Sequence, residues 1–216
     1  MRVAYLHGFL GAPELWGSHA LPGHGGGAVR ATWQDNLEAI AAAIGAVDAV
    51  VGYSLGARIA TGLVVGGFAA RAVLISVNPG IEDVERPARR TSDAAWAAML
   101  REHGVASFLD AWEAQPLFAT QTRVAADRRA ARRARRLAHD PEQLARSLEV
   151  MGLAEMPDYR ARIDDRFALI AGADDPKYVA IAQALPAPLE IIPGAGHDPT
   201  FEQPEATAAA IERALR

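Results

Sequence analysis

The residues best suited to chemistry are a serine, a histidine and an aspartate that lie far apart in the chain. Ser54 stands in Gly52-Tyr53-Ser54-Leu55-Gly56, a G-x-S-x-G pentapeptide. It follows the apolar run DAVV and opens the run LGARIATGLVV, which gives the strand–turn–helix setting the pentapeptide requires. On such a sharp turn side chains at the flanking positions would collide, which accounts for Gly52 and Gly56. A serine hydroxyl is a poor base and a poor nucleophile alone. It needs an imidazole to take its proton and a carboxylate to fix the imidazole tautomer. Both follow later strand-like runs, in Ala171-Gly172-Ala173-Asp174-Asp175 and Pro193-Gly194-Ala195-Gly196-His197. Spacing leaves Asp174 and Asp175 as competing acids. Asp198 adjoins His197 and is poorly placed to orient it. After the first strand comes His7-Gly8-Phe9, where the Phe9 N–H can join the Leu55 N–H as an oxyanion hole.

The other histidines are expected in lesser roles. His7 is read as shaping the oxyanion loop through hydrogen bonds, and His24 as part of a structural turn. His19, His103 and His139 are read as solvent-exposed or helix residues. No H-x-x-x-H or similar spacing points to a metal. Arg58 is of more interest, four residues after Ser54 and so on roughly the same helix face. A guanidinium there offers a bidentate fork for a carboxylate, which implies an anionic small-molecule substrate. Arg128, Arg129, Arg132, Arg133, Arg135 and Arg136 are read, for most members, as a solvated helix face.

These groups must be positioned by a sheet. Val3 to Leu6, Val47 to Val51, Ala72 to Val77, Arg166 to Ala171 and Pro188 to Ile192 read as short buried strands, each closed by Gly, Pro, Asn or Asp. Asn36 to Ile44, Leu55 to Val65 and Pro204 to Leu215 read as helices. The alternation predicts an α/β fold, a mostly parallel sheet with helices on both faces. The interval from Glu82 to Arg162 holds no convincing strand and has helical spacing at Trp96, Met99, Leu100 and at Leu144, Leu148, Met151. It is expected to be a helical cap insertion, residues 82–162, within a core formed by residues 1–81 and 163–216.

Composition bounds the rest. The chain has 216 residues, enough for one domain with a real core, and half of them are hydrophobic. A formal net charge of −4 gives no global field for nucleic acid or an anionic membrane. With no cysteine, disulfides and thiolate metal sites are excluded. No apolar run approaches a membrane span and no signal-peptide pattern opens the chain, so a cytoplasmic protein is expected. No cofactor or metal is expected, and the chain is taken as a monomer or weak homo-oligomer.

The order Ser, Asp, His is that of α/β-hydrolases, and a closer resemblance follows from longer segments. They are LHGFLG at Leu6 to Gly11, LPGHGG at Leu21 to Gly26, VGYSLGARIA at Val51 to Ala60, and NPGIEDVERPARRTSDAAWA at Asn78 to Ala97. WEAQPLF at Trp112 to Phe118, SLEVMG at Ser147 to Gly152, DDPKY at Asp174 to Tyr178 and GHDPTFEQPE at Gly196 to Glu205 complete the set. On these the chain resembles the 2-succinyl-6-hydroxy-2,4-cyclohexadiene-1-carboxylate (SHCHC) synthases, lyases of menaquinone biosynthesis with the α/β-hydrolase fold. The resemblance implies Ser54, Asp175 and His197 as a triad, Asp175 being the acid because D-x-K-aromatic follows it. It also implies substrate contacts at Tyr53, Arg58, Arg89, Trp112 and Arg136, elimination of pyruvate from a polycarboxylate cyclohexene, and no cofactor. The chain departs from the family by lacking the pair of strands before the HGF strand. The segment from Trp16 to Leu21 is also short, so five strands and a stub near His19 to Leu21 are expected, five to six in all. Ala57 replaces a usual glycine, and Asp198-Pro199-Thr200 after the histidine is unusual.

Two other readings share the same residues. A small serine carboxylesterase, thioesterase or C–C hydrolase would use the triad to form an acyl-enzyme. A silent binding protein would keep the frame without bringing His197 to Ser54.

Overall fold

The computed structural model describes residues 1–13 and 17–216. Five strands form one sheet in the order β1-β2-β3-β4-β5, each pair parallel: β1 (Val3–Leu6), β2 (Val47–Tyr53), β3 (Ala69–Ile75), β4 (Phe167–Gly172) and β5 (Leu189–Ile192). Because side chains alternate along a strand, each strand feeds two cores. Leu6, Val50, Leu74 and Leu169 point into a core with helices α1 (Trp33–Ile44) and α2 (Leu55–Val65). Val51, Tyr53, Val73, Ile75 and Ile170 point to the opposite face, where Ala210 and Ile211 of α8 (Pro204–Leu215) cover them.

The five expected strands are all present, β1 with the expected bounds and the other four with shifted ends. β2 runs on to Tyr53, and β3 stops at Ile75 because Ser76 takes a φ of 50°. Helix α1 begins three residues before the expected Asn36, where Thr32 and Asp35 bond reciprocally to each other's backbone N–H. No sixth strand occurs among the described residues. The predicted stub is a single backbone bond, His19 N–H to the Tyr5 carbonyl at 3.2 Å, beside the edge strand β1. The Trp16 end of that segment lies outside the described residues.

Between β3 and β4 the chain is helical: α3 (Arg86–Glu113), a 3-10 helix (Pro116–Arg123), α4 (Ala126–Leu137) and α5 (Pro141–Val150). Gly104, with φ 72° and ψ 177°, breaks α3 in two. Helices α3 and α5 share an apolar centre of Leu100, Phe108, Leu109, Leu144 and Leu148, against which Phe9 and Leu10 also pack. The loop after β1 is thereby pinned between the sheet and this segment. Three helices complete the fold: α6 (Pro176–Gln183), α7 (Pro199–Glu202) and α8. No described helix is long and apolar enough to cross a membrane.

Candidate active site

Ser54 lies between β2 and α2 with φ 50° and ψ −106°, a conformation that costs about 1–3 kcal/mol for a residue with a Cβ. The turn is so tight that a Cβ on Gly56 would lie 2.2 Å from the Leu6 carbonyl oxygen. Strand pairing holds the strain in place, the Ser54 N–H donating to the Ile75 carbonyl at 2.9 Å. His197 follows β5, and its Nε2 is 3.3 Å from the Ser54 Oγ. Its Nδ1 is 2.9 Å from Asp175 Oδ2. With Nδ1–H donating to the carboxylate, Nε2 is left to accept the serine proton. His197 and Asp175 are both buried. Asp175 Oδ1 also caps α6, accepting the Tyr178 N–H at 3.2 Å, so the acid is fixed at both oxygens.

Packing sends the two aspartates to different partners. Asp174 turns away to pair with Arg123, while Asp175 meets the imidazole. Asp198 caps α7 and pairs with Arg132 at 3.0 Å, without touching the His197 ring. A further close approach ties the loops together: a Cβ on Gly172 would lie 2.1 Å from the Gly196 carbonyl oxygen. The segments carrying the acid and the imidazole are thus packed backbone on backbone.

Ser54 and His197 open into a cavity of about 530 Å³, lined also by Phe9, Leu55, Arg58, Arg89, Trp112 and Lys177. That size suits a small-molecule ligand. Among the described residues, no acceptor takes the N–H of Phe9 or of Leu55. Trp112 stacks on Phe108, with ring centroids 5.2 Å apart, and Trp96 meets it edge-on. Arg89 Nε donates to the buried carboxylate of Asp93 at 2.8 Å. Arg58 donates to the Met151 carbonyl at 2.9 Å and lies over the Trp33 ring. Burial and the neighbouring Arg89 charge push the Arg58 guanidinium down to about 10, still charged at neutral pH. Neither Arg58 nor Lys177 pairs with a carboxylate among the described residues.

Two residues expected at the substrate do not line this cavity. Tyr53, the last residue of β2, points to the α8 side of the sheet, because alternation puts its ring behind the turn that carries Ser54. Burial, with Asp198 nearby, raises its hydroxyl well above the usual tyrosine range. Arg136 is held by Glu113 at 2.8 Å and lines a small separate cavity beyond Phe9 with Tyr53 and Arg132. The arginine run is therefore not one solvated face, since Arg132 and Arg136 turn inward at i, i+4 spacing. His139 also differs from expectation. It is half-buried, its ring 5.3 Å from that of His24, whereas His103 is exposed.

The cavity also contains groups that sequence reasoning passed over, chiefly Lys177 and Asp93. Lys177 carried a signal, since it is the single lysine in a chain whose other basic residues are all arginine. Asp93 carried one too, its i, i+4 spacing from Arg89 in a segment with helical periodicity.

A model of the alpha/beta hydrolase family matches residues 4–210. The chain belongs to the alpha/beta hydrolase family. Within it, this chain is similar to the 2-succinyl-6-hydroxy-2,4-cyclohexadiene-1-carboxylate synthase of Citrobacter koseri, 32% identical over 247 residues, covering 99% of this chain and 93% of the relative. The protein of the same name from Klebsiella pneumoniae is 32% identical over 238 residues, with the same coverage. Among solved structures, MenH from S. aureus aligns at a TM-score of 0.91 and 26% identity, over 99% of this chain and 92% of that one. A thermophilic esterase from Thermogutta terrifontis aligns at a TM-score of 0.76 and 22% identity, over 99% and 89%, which shows the shared hydrolase fold alone.

Proposed function

We propose that this alpha/beta hydrolase family member is an SHCHC synthase-like lyase that eliminates pyruvate from a polycarboxylate cyclohexene intermediate of menaquinone biosynthesis. The observation that carries the reading is Arg58. A half-buried guanidinium without a carboxylate partner is partly desolvated at a cost, and an anionic ligand relieves that cost. A plain ester hydrolase has no use for such a charge one turn from its serine. The names of the relatives, which match nearly the whole chain, support the same reading.

In this mechanism Asp175 holds His197 in the tautomer whose Nε2 accepts a proton. A ring C–H proton passes to the Ser54–His197 pair. The released electron pair enters the ring as a new double bond, and the C–O bond to the enolpyruvyl group breaks, releasing pyruvate after protonation. Negative charge developing on a conjugated oxygen is met by the N–H groups of Phe9 and Leu55. Arg58 and Arg89 hold the substrate carboxylates, and Trp112 forms an apolar wall. Residues 82–162 act as the cap that closes over the cavity, and the enzyme works in the cytoplasm. The test is a pyruvate-release assay with the authentic substrate, run beside Ser54→Ala and Arg58→Ala. Release abolished by the first and severely reduced by the second is expected. No release by the wild type, with rapid p-nitrophenyl ester turnover through Ser54, identifies an ester hydrolase instead.

A further inference from the structure

The loop that carries Phe9 is held from behind by a histidine outside the Ser54–His197–Asp175 set. We propose that His24 is a positioning residue: its ring Nε2 accepts the Leu10 N–H and so fixes the loop in the conformation that presents the Phe9 N–H to the reacting oxygen. The inference rests on the reading of Phe9 and Leu55 as oxyanion donors made above.

Leu10 has a φ of 63°, in the left-handed region that residues with a Cβ avoid, and is buried. Its N–H needs an internal acceptor, and the His24 Nε2 stands 3.0 Å away. The other ring nitrogen, Nδ1, lies 2.9 Å from the Pro22 carbonyl, which can only accept. Nδ1 therefore carries the hydrogen and Nε2 the lone pair, so a single tautomer satisfies both bonds. The Phe9 ring meets His24 edge-on at 5.2 Å, so one imidazole touches both residues of the loop. His7 and His139 flank it, each with ring centroids 5.3 Å away.

The ring has no room to yield. Its turn is tied by three backbone bonds, Gly23 N–H to the Gly27 carbonyl at 2.8 Å, His24 N–H to the Leu21 carbonyl at 2.9 Å and Gly27 N–H to the His24 carbonyl at 2.8 Å. The turn also abuts α5, where a Cβ on Gly23 would lie 2.4 Å from the Gln143 carbonyl oxygen. A donor aimed at developing charge is effective only when its direction is set before the reaction. A slack Leu10 would let the Phe9 N–H wander without disturbing Arg58 or Arg89, so the effect falls on kcat.

The experiment compares His24→Leu, which removes the acceptor, with His24→Gln, whose Oε1 can replace Nε2. In the pyruvate-release assay His24→Leu is expected to lose about ten- to a hundredfold in kcat, with KM held within about threefold, and His24→Gln to recover most of the loss. Amide hydrogen exchange of the segment 6–13 should quicken in His24→Leu, return in His24→Gln, and stay unchanged in α8. Should His24→Leu fail to fold, His24→Asn takes its place, since its amide reaches the Pro22 carbonyl but not Leu10. Unchanged exchange at 6–13, or unchanged kcat despite faster exchange, overturns the proposal, as does a loss that glutamine does not restore. If the wild type releases no pyruvate, the lyase reading fails by itself. The same variants are then judged by exchange and by kcat for p-nitrophenyl acetate.

Discussion

Arg89 gives its Nε–H to Asp93 across one helical turn, so only one of the two guanidiniums at the cavity is already neutralised. The other, Arg58, has a carbonyl for company and an unmatched charge. Truncating them should therefore have unequal effects. Arg58→Ala is expected to lower kcat/KM for the polycarboxylate by about 10²- to 10³-fold and Arg89→Ala by about tenfold, in steady-state kinetics. Arg58→Lys keeps the charge and loses the fork, and should fall between. Equal losses would contradict the asymmetry.

In the proposed mechanism the Ser54–His197–Asp175 chain of contacts acts as a unit, so its losses should not add. Ser54→Ala and His197→Ala are each expected to cost about 10³-fold or more in kcat, and the double variant little beyond either single one. Multiplying effects in the double variant would show two independent contributions.

Gly172 lies outside the serine pentapeptide yet controls the alignment of the other two members. Its close approach to the Gly196 carbonyl leaves no space for a methyl group. Gly172→Ala should destabilise by about 2–4 kcal/mol in urea unfolding, and the folded fraction should show a reduced kcat as the two loops separate. A variant of wild-type stability and activity would mean that this contact is soft.

Acid should weaken the fold through His24. Burial first, then the flanking His7 and His139, holds its imidazole well below the ordinary 6.5. The folded chain keeps it neutral while the unfolded chain takes up a proton near 6.5, so the unfolded state binds more protons below that pH. This contribution is complete above about pH 6.5 and declines as pH falls toward the depressed folded value. Urea unfolding from pH 7.5 to 5 should show a slope shallower in His24→Gln by up to about 1.4 kcal/mol per pH unit. Identical slopes in the two proteins would count against it.

How far the site was legible depends on where each signal resides. Ser54 and His197 could be read because the turn and the strand order are local. Asp175 could not be separated from Asp174 by spacing, since the choice depends on which carboxylate Arg123 captures. Tyr53 and Arg136 were placed at the substrate by resemblance, but strand alternation and Glu113 direct them elsewhere. The early start of α1 was written in Thr32 and Asp35, a Thr-x-x-Asp pattern that bonds reciprocally. The burial of Arg132 and Arg136 was hidden, because six arginines in nine residues give no apolar stripe to orient the helix.

Strand order equals chain order in this sheet, and right-handed crossovers between parallel neighbours all deliver their helices to one side. Among the described residues, the helix residues in the apolar cluster on the reverse side come from α8, while α4 and α7 flank Tyr53. A stop codon at Pro204 would uncover Val51, Val73, Ile170 and Ile192 on that side in a single step. Helix α8 is thus the keel of the sheet.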